Sequence, residues 1–144
     1  MPTLTLKVSP PQPADRHQAL AAALTRITAE TLGKRAEVTA VLIDDVDAQR
    51  WTIGGRMLQQ PSAWLAIDIT AGTNSDAQKA AFIAAAHEEL RRQLAGDGVL
   101  APASYVIVHE LPAGDWGYGG VTQRERARAR TGMPSCHSRD PAPT

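Results

Sequence analysis

The sequence predicts an α+β fold, with tandem βαβ units forming a four-stranded mixed sheet that carries two helices on one face. Three observations lead there. Leu4, Leu6 and Val8 alternate with Thr3, Thr5 and Lys7, the period-two pattern of a strand with one buried face. Leu65, Ile67 and Ile69 repeat that pattern in the second half, and Asp76 stands near a helix start as Asp15 does. A tryptophan followed by a Gly-Gly pair closes each half, as Trp51-Thr52-Ile53-Gly54-Gly55 and as Trp116-Gly117-Tyr118-Gly119-Gly120. Two matching halves mean an internal duplication, and parallel strands joined by a helix pack right-handedly with the helix over the sheet. Residues 1–123 are therefore read as a single domain made of halves 1–60 and 61–123, and 124–144 as a polar, disordered tail.

The elements follow in order. The first strand ends at Ser9-Pro10-Pro11-Gln12-Pro13, and Pro13 suits the first turn of a helix because it has no amide hydrogen to lose there. That helix is expected from about Ala14 to Leu32, with Leu20, Leu24 and Ile27 as its apolar stripe and Gly33-Lys34 as its stop. Val38 to Ile43, rich in branched residues, reads as the next strand. In the second half Ser75-Asp76-Ala77-Gln78 has the spacing of a capping box, opening a helix to about Leu94 with a stripe of Ile83, Ala86, Leu90 and Leu94. Tyr105 to Leu111 supplies the last strand. The glycine pairs read as tight turns or short hairpins at the sheet edge, since neither a G-x-G-x-x-G nor a Walker pattern occurs.

Composition narrows the function. Fifteen basic residues balance fifteen acidic ones in 144, so affinity for nucleic acid or a membrane surface through a large positive field is not expected. The single Cys136 excludes an internal disulfide framework, and with no long apolar run or leader-like segment the expected setting is the cytoplasm. No histidine, cysteine or carboxylate cluster has metal-ligand spacing, and no cofactor is expected.

The start of the chain carries the chemistry. Initiator methionine is normally trimmed before proline, which would leave Pro2 with a free secondary amine opening directly into a strand. An α-amino group titrates near roughly pH 8 in water, and burial disfavours its ammonium form. A walled-in terminal proline is therefore a candidate base.

With Met1-Pro2 running into a strand, the βαβ duplication, Asn74-Ser75-Asp76-Ala77-Gln78-Lys79 opening the second helix, and His109-Glu110-Leu111-Pro112 before Trp116, the chain resembles a fused member of the tautomerase superfamily, the group of 4-oxalocrotonate tautomerase. The resemblance covers roughly residues 2 to 123. It implies a tautomerase and MIF-like β-α-β fold, catalysis by an amino-terminal proline, and a homotrimer. The catalytic proline falls on Pro2, and the aromatic wall before the Gly-Gly turn on Trp51 and Trp116. Pro2 corresponds in the second half to Ala63 or Trp64, so one such site per chain is expected.

The departures concern charge. The family's two substrate-binding arginines fall near Gln12 and near Thr39 or Ala40, and in the second half near Asn74 and Tyr105, none of them cationic. Arg35, Arg56 and Lys7 are the available substitutes, with Arg56 and Tyr105 taken as substrate-binding candidates beside the two tryptophans. His109 shares a strand face with Tyr105 and reads as structural. The resulting expectation is a tautomerase or isomerase acting on a small enol or 2-keto acid. Dehalogenase, hydratase and decarboxylase chemistry in the same pocket are alternatives, as is a non-catalytic trimeric binding or assembly protein.

Overall fold

The computed structural model describes residues 1–132; Cys136 and the rest of 133–144 lie outside the described residues. Strand β1 (Thr3–Ser9) leads into helix α1 (Ala14–Leu32) and strand β2 (Ala40–Asp45). A short hairpin, β3 (Thr52–Ile53) and β4 (Arg56–Met57), precedes β5 (Ser62–Thr70), helix α2 (Asp76–Ala95) and β6 (Tyr105–Leu111). A second hairpin, β7 (Gly117–Tyr118) and β8 (Val121–Thr122), leads to α3 (Gln123–Arg130).

The main sheet has the order β2-β1-β5-β6. Each outer strand runs parallel to its own half's inner strand, as a right-handed crossover requires, and the inner strands β1 and β5 are antiparallel. The mixed four-stranded sheet with two main helices is thus the predicted class. Leu4, Leu6, Val8, Leu65, Ile67 and Ile69 bury the alternate face of the central pair against Leu20, Leu24 and Ile27 of α1 and Phe82, Ala86 and Leu90 of α2. Apart from Phe82, these are core residues that period-two and helical spacing anticipate.

The caps explain the helix limits. Gly33 ends α1 in the left-handed conformation, its N–H donating to the Ala29 carbonyl at 3.0 Å. The capping box of α2 is complete: the Gln78 N–H donates to Ser75 Oγ at 3.1 Å, and the Ser75 N–H to Gln78 Oε1 at 2.9 Å. Both glycine pairs sit at positive φ, 63° and 78° for Gly54 and Gly55, 63° and 80° for Gly119 and Gly120, the requirement of the two-residue hairpin turn.

Three expectations need correction. The second strand begins at Ala40, because residues Ala36–Val38 make one tight turn first. The α2 stripe runs through Phe82 and not Ile83, which is 39% exposed; Phe82, Ala86 and Leu90 repeat at four-residue intervals facing the sheet, and Ile83 is turned off that line. The disordered tail expected from residue 124 is helical as far as Arg130, started by Thr122, whose Oγ1 accepts from the Glu125 N–H at 3.1 Å.

Candidate functional site

Topology decides what meets the start of the chain. Because β2 is parallel to β1, α1 must return the chain to the beginning of β1, and Thr3 pairs with Ala40. The Ala40 N–H donates to the Pro2 carbonyl at 3.1 Å. The residues just past α1 are therefore held beside Pro2. Because β5 is antiparallel to β1, its far end, with Asp68 opposite Thr3, also arrives there, and β6 and the second hairpin follow it.

These elements enclose a cavity of about 250 Å³. Met1 and the buried Pro2 form one side, and Lys34, Arg35 and Val38 come from the segment after α1. Thr70 ends β5 and Thr73 lies in the turn that follows it. Tyr118 and the α3 residues Gln123, Ala127 and Arg130 complete the wall.

The electrostatics are one-sided. Burial, and then the positive charges of Lys34, Arg130, Arg35 and Arg126, hold the Met1 terminal amine below its ordinary value. Burial likewise lowers the Lys34 ammonium, whose Nζ donates to Thr73 Oγ1 at 2.9 Å. Arg35 is tied to Glu37 at 3.0 Å, while the ion pairs among the described residues leave Arg130 out. The Arg126 guanidinium stacks on the Tyr118 ring, 3.8 Å from its centroid, and donates to the Tyr118 carbonyl at 2.8 Å. A site at which an amine is biased toward its neutral form and an anion is attracted can move a proton on a small acid.

Of the residues singled out from the sequence, Pro2 and Arg35 line this cavity. Trp116 stands behind its wall: Nε1 donates to Thr70 Oγ1 at 3.2 Å, while the ring faces a neighbouring hollow with Asp115 and Val121. Tyr105, 61% exposed, lies on the sheet face away from the helices. Trp51 lines a separate hollow of about 320 Å³ with Lys7, Val46, Arg50 and Trp64, at the opposite end of β1. Arg56 is exposed on the first hairpin. His109 Nδ1 lies 3.1 Å from Asp68 Oδ1, a partner that suits the structural reading.

The sequence reading missed Lys34, which it took as a helix stop, and Tyr118, Gln123 and Arg130. The crossover itself was the overlooked signal for Lys34, since any residue just past α1 must lie beside the start of β1. Among the described residues no group of histidine, cysteine and carboxylate side chains could hold a metal ion, and no helix is long and apolar enough to cross a membrane.

The model of the family described as "Tautomerase enzyme" matches residues 2–60 and again 64–126. The chain belongs to the tautomerase family. Both halves match, so the internal duplication is a fusion of two tautomerase units. A probable tautomerase K2 of Dickeya dadantii (strain 3937) is 36% identical over 47 residues, which is 33% of this chain and 70% of that protein. A native fused 4-OT tautomerase has 30% identity and a TM-score of 0.75, the match covering 88% of this chain and 99% of that one. The F6 fused 4-OT, an asymmetric trimer, has 27% identity, the same TM-score of 0.75, and the same coverage of 88% and 99%. A macrophage migration inhibitory factor-like protein of Entamoeba histolytica shares the fold at 18% identity and a TM-score of 0.67, over 84% of this chain and 97% of that one.

Proposed function

We propose that this tautomerase-family chain is a keto–enol isomerase of small enol or 2-keto acids, with Pro2 as general base and acid once Met1 is removed. The observation that carries the reading is the burial of Pro2 in a cavity that Lys34, Arg35 and Arg130 also line, the same cations that, after burial, lower the neighbouring Met1 amine. A neutral Pro2 nitrogen takes a proton from the enol hydroxyl or from the carbon beside the carbonyl. The resulting ammonium returns the proton to the other position, completing the isomerisation. Negative charge developing on the substrate oxygen is met by Lys34, whose Nζ is oriented by Thr73.

Trimeric assembly belongs to the same proposal. Leu42 and Tyr105, 57% and 61% exposed, lie on the sheet face without helices, and the F6 fused 4-OT, matched over 99% of its length, is a trimer. Light scattering should give three times the chain mass at micromolar concentration; a monomer mass would rule the assembly out.

The function is tested by combining intact mass with turnover of phenylenolpyruvate. Protein lacking Met1 should ketonise it, and protein carrying an extra residue before Pro2 should not, because the nitrogen is then an amide. Equal turnover by the two forms would exclude Pro2 as the base.

A further inference from the structure

Helix α3 is the part of the cavity wall that the two βαβ halves do not account for. Gln123, Ala127 and Arg130 line the cavity from successive turns, at i, i+4 and i+7, so one face of the helix is turned to Pro2. The helix is anchored where it starts. The Gln123 N–H donates to the Trp116 carbonyl and the Arg124 N–H to the Ala113 carbonyl, both at 2.9 Å. Its middle is pinned by Arg126 on Tyr118, and the Arg126 Nε is buried without an acceptor among the described residues.

We propose that α3 is the specificity wall of the site: Arg130 receives the substrate carboxylate at the cavity mouth, and Ala127 sets how large a group fits between it and Pro2. This rests on the reading of the Pro2 cavity given above. The assignment to Arg130 follows from what the other cations are doing. Lys34 Nζ, oriented by Thr73, is assigned above to the developing oxyanion, and Arg35 is already paired with Glu37. Arg130 is the cavity cation left outside the ion pairs of the described residues, and its planar fork matches a carboxylate in two-point contact. Being exposed, it meets the carboxylate at the entrance, leaving the reacting carbon deeper, toward Pro2. The substrate class is then a small acid with its carboxylate next to the enol or keto carbon, and a neutral enol loses this contact.

The test compares phenylpyruvate with its methyl ester, which keeps the enol and lacks the charge. Arg130→Ala should raise KM for the acid by roughly tenfold or more, as expected for a charged hydrogen-bonded contact, and change the ester little. Arg130→Lys should restore part of the difference, and Arg128→Ala, the same charge loss away from the cavity, should not reproduce it. Ala127→Leu should narrow the range of side chains accepted. Unchanged KM for the acid in Arg130→Ala, or equal losses for acid and ester, overturns the proposal. Binding of phenylpyruvate measured by calorimetry separates the two readings. If the acid binds in an Arg130-dependent way but is not turned over, the wall stands and the Pro2 chemistry falls; if turnover is normal and binding ignores Arg130, the reverse holds.

Discussion

The two ends of the central strand pair are built alike and equipped differently. Thr5 pairs with Ala66, its own counterpart in the duplication, so an approximate twofold relation between the halves passes between them. It carries Pro2 onto Ala63 and the first hairpin onto the second, and the hollow beside Trp51 and Trp64 lies at the end away from Pro2. At one end the chain begins. At the other it runs through, and the Ala63 N–H donates to Ser104 Oγ at 3.2 Å. Past the Gly33 cap come Lys34 and Arg35; past the Gly96 cap come Asp97 and Gly98. The second hairpin continues into α3, whereas the first continues into β5. Duplication copies a sheet, helices and turns. The amine proposed for Pro2 and the cations around it depend on residues the copies do not share.

The sharpest way to break the comparison is at the amine. Pro2→Ala keeps a terminal nitrogen but a primary and more mobile one, and should lower kcat for phenylenolpyruvate by roughly 10²–10⁴-fold with the fold unchanged by circular dichroism. If the loss were absent, the two ends would differ in name only.

The hairpins give a second contrast. Thr52 occupies the place in the first that Gly117 occupies in the second, and a Cβ at Gly117 would lie 2.1 Å from the Val121 carbonyl oxygen. Gly117→Ala should therefore spread β7 from β8, displace Tyr118 and α3, and cost about 1–3 kcal/mol in denaturant unfolding, as overpacking does. Thr52→Gly should stay near the fraction of a kcal/mol typical of exposed sites.

A smaller effect is expected on pH dependence. The base works when neutral, so kcat/KM falls as pH drops through the amine's pKa. After burial, Lys34 is the largest cause lowering the Met1 amine and it lines the cavity beside Pro2, so Lys34→Gln should raise the pKa of the freed Pro2 amine and move the acid limb to higher pH. A limb that stayed in place would remove Lys34 from the field. Smallest of all, Trp51→Ala should leave turnover within about twofold, since Trp51 lies in the hollow at the other end. A large loss would mean that a neighbouring subunit brings Trp51 to the site.

Much of the fold was legible because it is written in local alternation. Leu4, Leu6 and Val8, or Ser75 and Gln78, state their environment within a few residues. The error at Ile83 arose because Phe82 and Ile83 are adjacent apolar residues, and only packing decides which faces the sheet. The site was less legible because it is assembled from ends. Lys34 acts through a crossover that brings it to Pro2, and nothing local marks it as more than a helix stop. Helix α3 buries only Gln123, so it carries no apolar stripe, and its Arg-Ala alternation resembles a solvated tail. Trp116 and Tyr118 belong to one motif, and only the hairpin's turn toward Pro2 puts Tyr118 in the wall and Trp116 behind it.

The central claim is that the Pro2 end holds its amine neutral near physiological pH. It is most directly tested by ¹⁵N NMR titration of protein labelled at proline and shown by mass to lack Met1. The Pro2 nitrogen should titrate below the value of roughly 8 usual for a free amino terminus, and higher in the Lys34→Gln and Arg130→Ala variants than in wild type. A Pro2 nitrogen titrating at or above the ordinary value, indifferent to both substitutions, would contradict the account.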